Sequence, residues 1–201
     1  MTFDTLATQK DIDTTIAALK ANGIEAVAVA TGADAKTKLM EMIPAGASVM
    51  NMTSVTLDAI SASTEVNESG KYEPIRVKLM DQATSADRKR ELGAAPEWTI
   101  GSVHALTQDG KLIIASNSGS QLPAYAYGAA HVIFVISAQK IVANLDEGMK
   151  RLYKYVLPLE SERANKAYGV PGSFISKLLI INREIQPGRI TVIIVGEKLG
   201  F

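Results

Sequence analysis

The chain has no cysteine and only two histidines in 201 residues, and those absences remove much of protein chemistry at once. Without thiols there are no disulfides, no thiol nucleophile, no thiolate zinc site and no cysteine-ligated iron–sulfur cluster. No cofactor of its own is expected, and any redox centre that works with this chain has to sit on another. His104 and His131 lack the i, i+4 spacing of a helical metal pair. An excess of one charge is missing too: Lys plus Arg and Asp plus Glu both total 21, for a formal net charge of zero. That leaves neither a basic footprint for nucleic acid nor an acidic tail. No apolar run approaches the ~18 residues of a membrane-spanning helix. The opening MTFDTLATQKDIDTTIAALK mixes acidic and polar residues, unlike a charged-then-apolar signal peptide. The expectation is a cytoplasmic protein with no membrane or nucleic-acid partner. Also missing are a GxGxxG after a strand, a GxxxxGK[ST] and the glycine at position 116 that a GxSxG elbow around Ser118 requires. This argues against a nicotinamide dehydrogenase, a P-loop NTPase and a serine hydrolase of that type.

What is present is a steady alternation of β and α patterns. The length suits one domain, residues 1–201, large enough to bury a core without crosslinks. Ile12, Ile16 and Leu19 mark one face of a first helix, which Gly23 is placed to stop. EAVAVA then opens into Thr31-Gly32 and a helix over Lys36 to Ile43; ASVMNM leads through Thr53-Ser54 into the helical VTLDAISAS. Crossovers of this length favour parallel strands. The fold class expected is α/β, a three-layer α/β/α sandwich with a mainly parallel sheet and antiparallel additions. Trp98 to Thr107 and Lys111 to Ala115 read as a hairpin about Asp109-Gly110. KLLIINREI and RITVIIV read as two closing strands about Gln186-Pro187-Gly188. Asp146 to Val156 is an amphipathic helix and ESERANKAYG a charged one.

In such a sheet the ligand crevice lies outside the carboxyl ends of the strands. Four polar clusters fall there: Thr31-Gly32; Asn51 with Thr53, Ser54 and Thr56; the run Ser116, Asn117, Ser118, Gly119, Ser120 and Gln121; and Gln139 with Lys140. Backbone amides at the Ser54 and Ser120 helix starts, together with Lys140, suit a small anion. Ser and Thr at strand-to-helix junctions also cap helices with no ligand involved; the joint placement of these clusters with Lys140 favours a site. Lys140 is read as a solvent-facing strand-end lysine that pairs with an anion or, if desolvated, serves as a base or amine nucleophile. His104 alternates within a strand, where it either faces the crevice or, the preferred reading, is a structural histidine, and Met40, Met42, Met50 and Met52 are read as core. Of Tyr125 and Tyr127, one is placed to line the crevice while the other packs. Asp58 and Glu197 are weak candidates for a catalytic carboxylate.

The run GSVHALTQDGKLIIASNSGSQLPAYAYGAAHVIFVISAQKIV, followed by LPLESERANKAYGVPG, KLLIINREIQPGRITVIIV and GEKLGF, resembles the LUD family, named for lactate utilisation; NMTSVTLDAI extends the likeness into the first half. Family members resemble the fold group of ribose-phosphate isomerases, glucosamine-phosphate deaminases and CoA transferases. The resemblance implies a part in organic-acid metabolism, the oxidation of L-lactate to pyruvate, beside iron–sulfur subunits. It also implies a role for Lys140 in Gln139-Lys140-Ile141-Val142. The ligand implied is a small anion: a phosphate, a carboxylate or an acyl thioester. A chain without redox ligands fits there as an anion-binding or accessory subunit. The alternative is an isomerase or transferase acting on a sugar phosphate or acyl thioester. Whether the chain is itself an enzyme, and whether it forms a homo-oligomer, stay open at this point.

Overall fold

The computed structural model describes residues 3–201. The first half runs α1 (Gln9–Ala21), β1 (Glu25–Val29), α2 (Gly32–Met42), β2 (Ser48–Asn51), α3 (Val55–Ala59), α4 (Ala62–Glu68) and β3 (Glu73–Pro74). It continues through α5 (Ile75–Met80), α6 (Ala86–Ala94), β4 (Trp98–Gly101), β5 (Ala105–Thr107) and β6 (Leu112–Ser116). The remainder is β7 (His131–Ser137), β8 (Ile141–Val142), α7 (Leu145–Arg151), α8 (Leu157–Tyr168), β9 (Lys177–Ile181) and β10 (Ile190–Val195).

Six strands form one parallel sheet in the order β1-β10-β7-β4-β2-β3. Its centre is β7 and β10, whose HVIFVIS and ITVIIV are buried almost throughout, as a sheet covered on both faces requires. Alternate side chains enter opposite layers. Val132, Phe134 and Ile136 join Ile12 and Leu19 of α1 on one side, while Ile133 and Val135 meet Ala35 and Leu39 of α2 and Leu57 of α3 on the other. Each such large aliphatic or aromatic side chain contributes roughly 1.5–3 kcal/mol on burial. Helices therefore cover both sides of the sheet, the three-layer α/β arrangement expected. Met50 and Met52 are core residues, as their setting in the sequence suggested.

The antiparallel additions are built differently from the sequence reading. The apolar run from Trp98 to Thr107 is not one hairpin arm: β4 ends at Gly101 inside the parallel sheet, and β5 begins a second, four-stranded sheet ordered β8-β5-β6-β9. The Asp109-Gly110 turn does join β5 to β6 antiparallel, but within that second sheet. The two closing strands are not neighbours either, since β9 pairs with β6 while β10 lies at the heart of the first sheet. Periodicity could not reveal this, because a strand that changes sheets keeps the same alternation on both sides of the change. The linking residues Ser102, Val103 and His104 sit where the two sheets part.

Asp146 to Val156 and ESERANKAYG belong to one continuous helical run over 145–168. Within it Leu152–Val156 widens into a π turn directly before Leu157-Pro158. Proline has no N–H to return to the preceding turn and its ring crowds the carbonyl there, so the helix loosens ahead of it. Leu152 and Val156, displaced by that turn, form one wall of the cavity described next.

Candidate functional site

A cavity of about 420 Å³ opens between the two sheets and the long helix, a size suited to a small organic molecule. Its floor is made by the end of β7. There Ser137 Oγ accepts from the Gln139 amide at 3.4 Å and donates to the Glu197 carbonyl at 2.6 Å, fixing a tight 3₁₀ turn over Ala138–Lys140. The turn sends neighbouring side chains different ways. Gln139 Nε2 donates to the Gly200 carbonyl at 2.7 Å, whereas Lys140 Nζ enters the cavity and donates to Thr56 Oγ1 at 2.9 Å and Ser102 Oγ at 3.1 Å. Gly200 is left-handed, with φ +63°, and a Cβ there would come 2.6 Å from Thr56 Oγ1, so only glycine lets the chain close on that threonine.

Lys140 is buried, only 3 % exposed, and its partners are hydroxyls. The solvent-facing lysine of the sequence reading is therefore corrected: the 3₁₀ turn and the second sheet enclose it. Burial, reinforced by the charge of Arg151, pushes its ammonium down from 10.5 to about 7. Arg151 is itself fully buried. Its guanidinium donates to the carbonyls of His104 and Phe3 and lies 5.1 Å over the Tyr155 ring. Burial lowers it to about 10, leaving it charged at neutral pH. Among the described residues neither cation has a carboxylate partner at ion-pair distance.

His104 also lines the cavity, half-buried, with Nδ1 accepting the Ala115 amide at 3.1 Å. Burial, then Lys140 and Arg151, hold it down to about 3. It is neutral, and because Nδ1 is an acceptor the proton resides on Nε2, leaving one N–H donor free of protein partners among the described residues. On the rim Arg163 grips both oxygens of Glu160 at 2.7 Å and rests 5.5 Å over the Tyr168 ring. Leu152, Val156, Leu157, Phe174 and Phe201 supply the apolar walls.

Nine of the expected residues line this cavity: Thr53, Ser54, Thr56, Ser116, Asn117, Ser118, Ser120, Gln121 and Lys140. Asn51, Gly119 and Gln139 lie outside the lining. Asn51 is buried behind it, where its carbonyl accepts from Arg76, and Gln139 is turned toward Gly200. Thr31-Gly32 is elsewhere: Thr31 forms a capping box with Asp34, and the Gly32 amide bonds Glu197 Oε2 at 2.8 Å. Glu197 is thus structural, and Asp58 accepts from Ser63 at an exposed position, so neither is the catalytic carboxylate considered above. The amide cradle is also corrected. The five-residue α3 has its Leu57 amide bonded by Ser54 Oγ, while the Gly119 and Ser120 amides are taken by Ser116 Oγ and Ser118 Oγ. Capping accounts for these hydroxyls, and the positive character of the cavity comes from side chains. Tyr125 lines the cavity as expected, but Tyr127 does not pack: it is exposed. The sequence reading missed Ser102, took Glu160 and Arg163 first as a solvated helix face with a ligand contact left open, and preferred a structural part for His104 over a place on the crevice.

Comparison with known proteins places this architecture. The model of the LUD domain matches residues 12–195. The chain belongs to the LUD domain family. That family is related to lactate utilisation proteins. The fold of this LUD domain is similar to that of a DUF162 family protein from Deinococcus radiodurans, with a TM-score of 0.59 and 12% sequence identity over 96% of this chain and 100% of that one. No curated protein matches the chain. Among the described residues no helix is long and apolar enough to cross a membrane, and no group of three or more metal-ligating side chains converges.

Proposed function

We propose that this LUD domain binds a small carboxylate in the cavity and acts in organic-acid metabolism of the lactate-to-pyruvate type, as an anion-binding or accessory subunit whose iron–sulfur partner is a separate chain. The observation that carries this reading is Lys140, buried yet opening into the cavity, with only hydroxyl partners and no carboxylate at ion-pair distance among the described residues; Arg151, outside the lining, adds its charge nearby. A buried charge without a counter-ion is costly, and an entering anion supplies what the fold omits. The kinship with lactate utilisation proteins supports the choice of a carboxylate. Isomerase or transferase chemistry has less support, since the carboxylate on the cavity wall, Glu160, is held at both oxygens by Arg163.

Anion binding favours the charged form of Lys140, whose value stands near 7, so binding at pH 7.5 is expected to draw protons from solution. Calorimetry with lactate, pyruvate and inorganic phosphate in buffers of different ionisation enthalpy measures that uptake. A charge-assisted hydrogen bond is worth on the order of 1.5–3 kcal/mol, so Lys140→Met is expected to weaken the best ligand about tenfold or more and to abolish the uptake. Binding that is indifferent to this substitution sinks the reading.

A further inference from the structure

We infer that Lys140 is the amine of a covalent site, condensing through Nζ with the carbonyl of a small 2-oxo acid held in the cavity. The inference rests on the anion-binding reading and adds to it the class of ligand and the bond formed. Its basis is the valence of the nitrogen. A neutral lysine amine has two N–H bonds and one lone pair, and Thr56 Oγ1 at 2.9 Å and Ser102 Oγ at 3.1 Å take the two N–H bonds. No other hydrogen bond to Nζ exists among the described residues, so the lone pair is left for the cavity that Lys140 lines. The surroundings suit a nucleophile rather than a structural cation. A structural lysine at 3 % exposure is expected to meet a carboxylate or several backbone carbonyls; this one meets two hydroxyls that accept from the amine. Burial and the neighbouring Arg151 bring its value down to about 7, so roughly half of the amine is uncharged at that pH, far more than for an exposed lysine, and neutral His104 adds no competing positive charge.

The remaining groups fit the two ends of a 2-oxo acid. Arg163, on the cavity wall, holds Glu160 through Nε and one terminal nitrogen and also interacts with Tyr168, and it places a guanidinium where the carboxylate of the acid can approach. The neutral Nε2–H of His104 is a donor for the ketone oxygen. Leu152 and Val156 give the cavity an apolar wall. In the condensation the nitrogen lone pair forms the C–N bond while the carbonyl π pair moves to oxygen. The two N–H protons pass through the Thr56 and Ser102 hydroxyls that already accept them and end on that oxygen. The C–O bond then breaks, water leaves and a C=N bond remains. Nothing is oxidised or reduced.

The test is reductive trapping. The protein is incubated with pyruvate or glyoxylate, treated with borohydride, and analysed by intact mass and peptide mapping. Lactate serves as the anion without a ketone and acetaldehyde as the carbonyl without a carboxylate. The expected result is one reduced adduct, on Lys140, forming at least tenfold faster with pyruvate than with acetaldehyde and rising as pH passes through about 7, while exposed lysines label only at higher pH. Lys140→Arg keeps the charge and is expected to bind lactate without trapping pyruvate; Lys140→Met is expected to bind lactate about tenfold or more weakly and to trap nothing. If lactate and pyruvate bind but Lys140 labels no faster than exposed lysines, the covalent site is overturned and the anion site stands. If acetaldehyde labels Lys140 as well as pyruvate does, the 2-oxo acid class is wrong. If neither acid binds nor labels, both readings fall.

Discussion

Lys140→Met is expected to make this LUD domain more stable below pH 7 even as it weakens ligand binding. The sign follows from proton linkage. The folded state releases the Lys140 proton near 7, whereas the unfolded chain holds it to about 10.5, so between those values the unfolded state binds more protons and wild-type stability rises with pH. Below pH 7 the wild type carries the full cost of a buried ammonium. At about 1.36 kcal/mol per pKa unit that interval corresponds to an upper bound of roughly 5 kcal/mol. Loss of the hydrogen bonds to Thr56 and Ser102, at about 1 kcal/mol each, offsets part of it. A net gain on the order of 2 kcal/mol at pH 6 is expected, shrinking steadily as pH approaches 10, and urea unfolding of both proteins across that range measures it. Stability curves that run parallel from pH 6 to 10 would show that Lys140 titrates as an ordinary exposed lysine. A site group whose removal stabilises the fold is one retained at a cost to stability.

The depth of Lys140 was hidden from the sequence, and the reason is instructive. The sequence places it correctly just past β7, because HVIFVIS declares a buried strand by its composition alone. Enclosure depends on Ser102 arriving from the end of β4 and Thr56 from α3, and on a 3₁₀ turn anchored by Ser137 to the Glu197 carbonyl, both long-range facts. Elements held by local chemistry were legible. The stop of α1 at Gly23, with φ +78°, follows from residues within a few positions of one another, whereas the start of α2 was read late, at Lys36, although the Thr31–Asp34 capping box begins it at Gly32. The small polar part of the cavity lining was legible too, since small polar residues after strands are where such folds leave the backbone open; the apolar walls and the helix that closes the cavity were not. What failed was the partition of strands between sheets. The run from Trp98 to Thr107 carries no signal of its break, so His104 was placed in a strand rather than at the junction where it faces the cavity. The Glu160–Arg163 pair looked like any solvated i, i+3 pair, because only tertiary packing brings that helix face over the opening.

The largest loss of stability is expected from a residue outside the cavity, Arg189, through the segment that carries Tyr125 into it. Arg189 is 4 % exposed. It donates to the carbonyls of Ala129 at 2.9 Å and of Ala124 and Tyr125 at 3.1 Å, and pairs with Glu184 at 2.7 Å. Those three carbonyls belong to the π turn over Ala124–Gly128 and the residue that follows it, so one side chain ties that turn to the start of β10. Arg189→Ala strips a partner from every one of them and leaves Glu184 unpaired with its side chain about 10 % exposed, a change that costs on the order of 3–5 kcal/mol. Burial alone would raise Glu184, but the Gln186 amide, Arg189 and the Ile185 amide together hold it below its usual value. Its contribution is therefore present above about pH 4.5 and lost as pH falls through the lower folded value. Without Arg189 the balance tips toward burial, and the variant is expected to begin losing stability at a higher pH than the wild type. Urea unfolding at pH 7 and pH 4.5 measures both effects. Adding Glu184→Gln removes the unpaired charge and is expected to recover part of the loss, which separates the ion pair from the three carbonyl contacts. A cost below about 1 kcal/mol at pH 7 would mean that the π turn holds its shape through Tyr125 packing on Phe134, at 4.7 Å between ring centroids, and not through Arg189.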